Sequence, residues 1–345
     1  MTSDSKLSPP EIPSQSPTSW PSLLRPYTSP DTGRSILELV VTAVPFVVLW
    51  VGCWLASSHG FWWLSLLLAL PASGFLLRLF MIQHDCGHRA FFRSRRLNDW
   101  VGRIIGVLTV TPYDYWRQRH AIHHASSGDL GRRGMGDIDT LTVREYRELS
   151  RLGRLRYRLY RHPLVLFGVG PGVQFLLLQR LPFGQMRGGW RPWLSTQGTN
   201  AGIAALVIAL VLLIGVKDFL TVHMPIVLLA AATGVWLFYL QHQFENTVWS
   251  ESKDWNFQQA ALYGSSHYVL PPLLQWFTAN IGLHHVHHLM SRIPYYRLPS
   301  VLRDYPEIAR IGRMSIRESL RTPRLALWDE EKRRLVGFST LRERT

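Results

Sequence analysis

Thiols are almost missing from this sequence. Cys53 and Cys86 are the only cysteines in 345 residues, which leaves no disulfide framework and no four-thiolate zinc site, and suits a reducing compartment. Lysine is scarce too: four lysines stand among 38 basic residues, so arginine supplies nearly all of the formal charge of +15. The pattern H-E-x-x-H does not occur, which removes the common zinc-protease arrangement, and neither do the Glu-x-x-His pairs of ferritin-like di-iron bundles. No compact leader with a basic start and a small-residue cleavage site is expected at the start. A charge of this size has two readings, a nucleic-acid surface or the cytoplasmic face of a membrane protein. The apolar runs decide between them.

Residues 1–34 are polar and proline-rich and are expected to form a flexible tail. Two apolar runs follow, SILELVVTAVPFVVLWVGCWLASS from Ser35 to Ser58 and FWWLSLLLALPASGFLLRLFMI from Phe61 to Ile82. Each exceeds the ~20 residues that cross a bilayer core of about 30 Å. Glu38 and Arg78 sit near their ends, and Pro45 and Pro71 are possible kinks. A second pair, 200–216 and 219–240, meets at Lys217 and Asp218. The short joins predict an all-α integral membrane protein, with four transmembrane helices in two hairpins and a cytoplasmic helical cap. The tail, residues 83–198 and the C-terminal region then share one side, and their arginine excess puts that side in the cytoplasm. The charge is thereby assigned to topology, and no nucleic-acid partner is expected. Two weaker apolar stretches, near 100–110 and 163–178, are short or broken by glycine and read as interfacial or re-entrant helices. The expected division is a tail over 1–34, one membrane domain over 35–310 and a basic cytoplasmic tail over 311–345.

Fourteen histidines are distributed unevenly. HDCGH, His84 to His88, begins where the second apolar run ends; HAIHH covers His120 to His124; His242 follows the fourth run; HHVHH covers His284 to His288. Residues i, i+3 and i+4 share one helix face. His84 and His88 therefore point together, as do His120, His123 and His124, and again His284, His287 and His288. Eight or nine imidazoles are too many for one metal and suit two, and ligand type alone leaves zinc, copper, nickel and iron open. His285 falls off the shared face and reads as a residue that orients a ligand. His59, His162 and His223 are lone residues with ordinary structural readings, and His267, in GSSHY, has no assigned role.

HDCGH, HAIHH and HHVHH together resemble the three histidine boxes of integral-membrane fatty acid desaturases. The flanks QHQFENTVW at 241–249, ALYGSSHYVLP at 261–271 and WFTANIGLHHVHHLMSRIPYYRLP at 276–299 are similar to the bacterial and cyanobacterial acyl-lipid branch related to Δ12 enzymes. The resemblance implies a non-haem di-iron centre on the cytoplasmic side of four spanning helices in a bacterial inner membrane. Its ligands would be His84, His88, His120, His123, His124, His284, His287 and His288, with His242 as the ninth by position. It further implies O2 as co-substrate, a lipid-bound acyl chain as substrate and a cis double bond as product. No His-Pro-Gly-Gly haem signature is present, so electrons would come from a separate carrier such as ferredoxin.

Related hydroxylases and carotenoid ketolases use similar boxes and form one alternative. A zinc-dependent membrane hydrolase or metal-handling protein is another, from a different class. Asp85 and Glu245, next to ligand positions, are candidate acceptors for imidazole N–H groups. Tyr115, Trp116, Trp255, Trp276 and Phe277 are candidate walls of an acyl channel, although aromatic residues also collect at membrane interfaces.

Overall fold

A computed structural model describes residues 20–134 and 136–341. Its helices are α1 (Trp20–Leu24), α2 (Thr32–Ser58), α3 (Trp62–Gly87), α4 (Arg95–Leu108), α5 (Tyr113–Ser126), α6 (Val143–Glu148), α7 (Arg151–Tyr160), α8 (Gly170–Gly172), α9 (Trp190–His242), α10 (Phe257–Tyr263), α11 (Pro272–Phe277), α12 (His284–Leu289), α13 (Leu298–Asp304) and α14 (Ile316–Ser319). Three of them, α2, α3 and α9, are long and apolar enough to cross a membrane. The Asp31 carboxylate caps α2 by accepting from the Arg34 N–H at 2.8 Å. Pro45 and Pro71 are carried inside continuous helices. Glu38 of α2 and Arg78 of α3 answer each other: Arg78 pairs with Glu38, donates to the Thr42 hydroxyl at 3.1 Å and lies over the Trp276 ring. A buried charge in an apolar span needs that kind of company.

The second expected pair of runs is one helical stretch of 53 residues, broken at Gly215, whose φ of 82° and ψ of 159° leave the helical region. Glycine is the residue that adopts such a φ without strain. Near the start of α9 the Ser195 hydroxyl accepts from the Tyr115 N–H of α5, and at its end His242 meets His123, also of α5. Beyond the break, Asp218 accepts from the Ser57 hydroxyl at the last turn of α2.

The stretch near 100–110 falls mostly in α4, an amphipathic helix that leaves Leu97, Trp100 and Ile104 exposed along one stripe. The 163–178 stretch is a wide, irregular helix over Leu164–Arg180, bent by 57° from α7.

Two regions differ from expectation. Strands β1 (Leu141–Thr142), β2 (His267–Tyr268), β3 (Arg313–Met314), β4 (Leu327–Asp329) and β5 (Arg334–Val336) build two small sheets, in the order β1-β4-β5 and β2-β3, on a mostly helical frame. The expected tails are also packed in their described parts. From Trp20 onward the first is ordered: Leu24 is fully buried, and the Trp20 and Tyr305 rings meet edge to face at 5.8 Å. Over 311–341 the second buries Leu327, and Trp328 stacks on Trp249 at 5.2 Å. Trp20 and Leu24 join the main core, while Leu327 and Trp328 pack in smaller clusters beside it, and that burial overrides the composition around them. Residues 1–19 and 342–345 of the two expected tails lie outside the described residues.

Candidate metal centre

Four helix ends converge. His84 lies in the last turn of α3 and His88 caps it; His120, His123 and His124 ride on α5; His242 closes α9; and α12 carries His284, His287 and His288. All nine sequence-predicted histidines come together, and they divide into two sets. The first is His84, His88, His120, His124 and His287; the second is His123, His242, His284 and His288. Within each set the ligand-capable nitrogens all lie within 4.8 Å of one another. The division cuts across the boxes. Each H-x-x-H-H box gives its i, i+4 pair to one set and its i+3 member to the other.

In the first set the Nε2 atoms of His84 and His120 are 3.0 Å apart, those of His120 and His124 are 3.1 Å apart, and those of His124 and His287 are 3.1 Å apart. In the second, His242 Nε2 lies 3.1 Å from His123 Nε2 and 3.1 Å from His284 Nε2. Two nitrogens bound at about 2.1 Å to one metal are about 3.0 Å apart at a right angle and about 3.4 Å apart at the tetrahedral angle. The observed spacings match the right angle, and five imidazoles exceed the four ligands of a structural zinc site. The buried Nε2 atoms of His88 and His288 have no hydrogen-bond partner, as expected of nitrogens reserved for a metal. The donor set fits a pair of imidazole-bound ions, one offered five nitrogens and the other four.

Burial and the neighbouring imidazoles hold His120, His124, His284, His287 and His288 well below the usual histidine range. They are therefore neutral at pH 7, which is the state that binds metal.

Hydrogen bonds fix two of the rings. His123 Nδ1–H donates to the Asp137 carboxylate. His242 Nδ1–H donates to the Gly264 carbonyl at 3.1 Å, with the Ser127 hydroxyl at 3.2 Å. Both contacts leave Nε2 free for the cluster. Asp137 went unremarked in the sequence because it sits in an irregular loop with no helical register to any box. Its neighbour Gly136, at φ 86°, presses on α5: a Cβ there would lie 3.3 Å from His123 Cβ. The glycine of HDCGH has a similar role. A Cβ on Gly87 would come within 2.8 Å of the Trp116 ring, which stacks on His120 at 4.6 Å.

The other expected positions are mixed. Asp85 is buried beside the first set; its carboxylate accepts from the Tyr295 N–H at 2.7 Å and lies 3.5 Å from His84 Nδ1. Glu245 is exposed and takes no part. His285 points away from both sets, as its register requires. Its Nε2–H donates to the Ile308 carbonyl and its ring stacks on His267, so it ties α12 to the following segment and does not orient a ligand. Cys86 is in neither set.

A cavity of about 340 Å³ opens onto the cluster, with His84, His120 and His284 in its wall. Leu76, Leu77 and Met81 of α3 and Ala230, Gly234 and Phe238 of α9 make most of it apolar. Tyr115 and Trp116 line it as expected, while Trp255, Trp276 and Phe277 do not. Trp255 donates to the Ser127 carbonyl, and Trp276 and Phe277 pack on Phe75.

The family model described as fatty acid desaturase matches residues 61–319. A Bacillus subtilis (strain 168) protein named fatty acid desaturase is 41% identical over 316 residues, covering 92% of this chain and 89% of its own length. A Synechocystis protein named sn-1 acyl-lipid omega-3 desaturase (ferredoxin) is 28% identical, covering 64% of this chain and 61% of its own length. An Arthrospira platensis protein named sn-1 oleoyl-lipid 12-desaturase is 22% identical, covering 81% and 77% respectively.

Proposed function

The chain belongs to the fatty acid desaturase family, and from that premise we propose that it is an O2-dependent acyl desaturase with two iron ions, forming a cis double bond in a lipid-bound acyl chain. The observation that carries this reading is the pair of imidazole sets opening together onto one apolar cavity. The overall reaction takes a –CH2–CH2– unit, O2, two electrons and two protons to –CH=CH– and two waters. The ions, bound by His84, His88, His120, His124 and His287 and by His123, His242, His284 and His288, would supply the oxidising power that no side chain has against an unactivated C–H bond.

The chain's own groups hold, orient and exclude. Imidazoles braced by Asp137 and by the Gly264 carbonyl keep their Nε2 atoms aimed. Trp116 covers one side of His120, and the apolar wall made by α3 and α9 selects a hydrocarbon over water.

We read the two limbs of α9 as separate spans. A straight helix of 53 residues would extend about 80 Å, yet both ends of α9 touch α5 and the Gly215 break lies near the α2–α3 turn. With α2 and α3 this gives four spans in two hairpins, with the histidines at the cytoplasmic face of a bacterial inner membrane. Electrons would come from a separate carrier; the Synechocystis relative is named for ferredoxin, and that carrier class is our reading here.

Expression in a host lacking the unsaturation, followed by gas chromatography and mass spectrometry of its lipids, tests the proposal. New cis-unsaturated chains are expected. Hydroxylated or ketonic products would move the assignment to a related oxygenase. An unchanged profile from iron-loaded protein with a working donor would overturn it.

A further inference from the structure

One polar side chain in the cavity wall has no counterpart. Gln179, at the end of the irregular helix over Leu164–Arg180, lines the cavity and is only 7% exposed, and its Oε1 has no hydrogen-bond partner. Thr109, in the same wall, is satisfied: its hydroxyl donates to Gln83 Oε1 at 2.6 Å. A buried amide left unpaired is destabilising unless something in the cavity pairs with it. The two ends of a glutamine amide exchange by a half-turn of the side chain, so its N–H2 can face the cavity.

An acyl chain brings one kind of polar group into an apolar cavity, the carbonyl at its head. We infer that Gln179 is the carbonyl-binding residue of the acyl site. Its amide N–H donates to the ester or thioester oxygen, so the chain is gripped at its head while its methylenes lie along the apolar wall. This rests on the acyl-desaturase reading. Arg180 supports the placement: its guanidinium donates to Asn200 Oδ1 at 2.8 Å and to the Phe175 and Val110 carbonyls. Those contacts pin the backbone that presents Gln179. Because the head is held, the clamp sets the position of desaturation by counting from the carbonyl.

The test compares lipids that differ only at that group. Purified full-length protein in nanodiscs is titrated with a fluorescent diacyl phospholipid, with its diether analogue, which lacks the carbonyl, and with the matching acyl thioester. For the wild-type chain the ester is expected to bind about tenfold more tightly than the ether, the worth of one hydrogen bond. In Gln179→Leu that preference is expected to vanish, and in an active host the double bond should spread to neighbouring carbons. Gln258→Leu, on α10 and outside the cavity wall, should keep both the preference and the single position. If the thioester alone loses affinity in Gln179→Leu, the clamp stands and its substrate is a thioester. No ester or thioester preference in the wild type, or an undiminished one in Gln179→Leu, overturns the inference. The wild-type comparison needs no variant to fold. An ester preference without any desaturation would leave the clamp standing and remove the enzymatic reading instead.

Discussion

The two histidine sets use the same side chain and differ in what stands behind it. In the four-membered set, His123 leans on Asp137, and His242 on the Gly264 carbonyl and Ser127. In the five-membered set the support is mostly ring against ring: His120 lies on Trp116, His88 packs edge to face on His124, and the Asp85 carboxylate stands off at 3.5 Å. Hydrogen bonds brace two rings of the smaller set, and the larger set is held mostly by packing. Rings fixed by hydrogen bonds gain basicity and lose rotational freedom, so His123 and His242 can bind more firmly. The larger set achieves its hold by number.

The deepest test removes one ligand from each set on the same helix. His287→Ala and His288→Ala should both abolish desaturation. Each should lose roughly half of the bound iron, and the ion that remains should differ between them. Iron analysis with Mössbauer spectroscopy reads this directly; identical residual spectra would erase the partition. His285→Ala serves as the control on that helix and should keep both ions, since its contacts are to Ile308 and His267.

A smaller effect is expected behind the ligand. Asp137→Ala should weaken iron retention by about 10–100-fold in the four-membered set alone. Asp137→Asn, which keeps an acceptor oxygen, should recover part of it. Competition with a chelator measures both, and equal loss from the two sets would mean that the brace is not local.

The smallest effect should not distinguish the sets at all. His120, His124, His284, His287 and His288 have folded-state values lowered from 6.5 by burial, so below about pH 6.5 the unfolded chain binds more protons than the folded one. The metal-free protein should therefore be fully stable above that pH and lose stability as pH falls below it, seen as a Tm that drops between pH 7.5 and 5.5. A flat profile would mean that these rings are hydrated when metal is absent.

The shared faces of the histidines were readable in the sequence because helical register is local. The spacings 84/88, 120/123/124 and 284/287/288 fix shared faces whatever the tertiary structure does. The partition into five and four was not readable, since it depends on how α3, α5, α9 and α12 approach each other. The same limit explains Asp137, Glu245 and the aromatic positions. Asp137 reaches His123 through a loop bend at Gly136. Glu245, three residues past His242, has left the helix and points outward. Trp276 and Phe277 are close to the third box along the chain but pack on α3. The ordered ends were missed for a different reason: a single Trp20, Leu24 or Trp328 in polar surroundings leaves no periodic trace, although each finds a place in a core.

The crossing of the boxes has one more consequence. His123 and His124 are neighbours in the chain with ring centroids 5.6 Å apart, and they serve different sets; His287 and His288 do the same at 6.0 Å. Two short helices thus act as rulers, each marking the gap between the centres with consecutive graduations. The nine candidate ligands include no carboxylate able to bridge and slide, so peptide geometry alone keeps the gauge. One residue inserted between His123 and His124 would turn the later mark by about 100° and leave the two graduations on different scales.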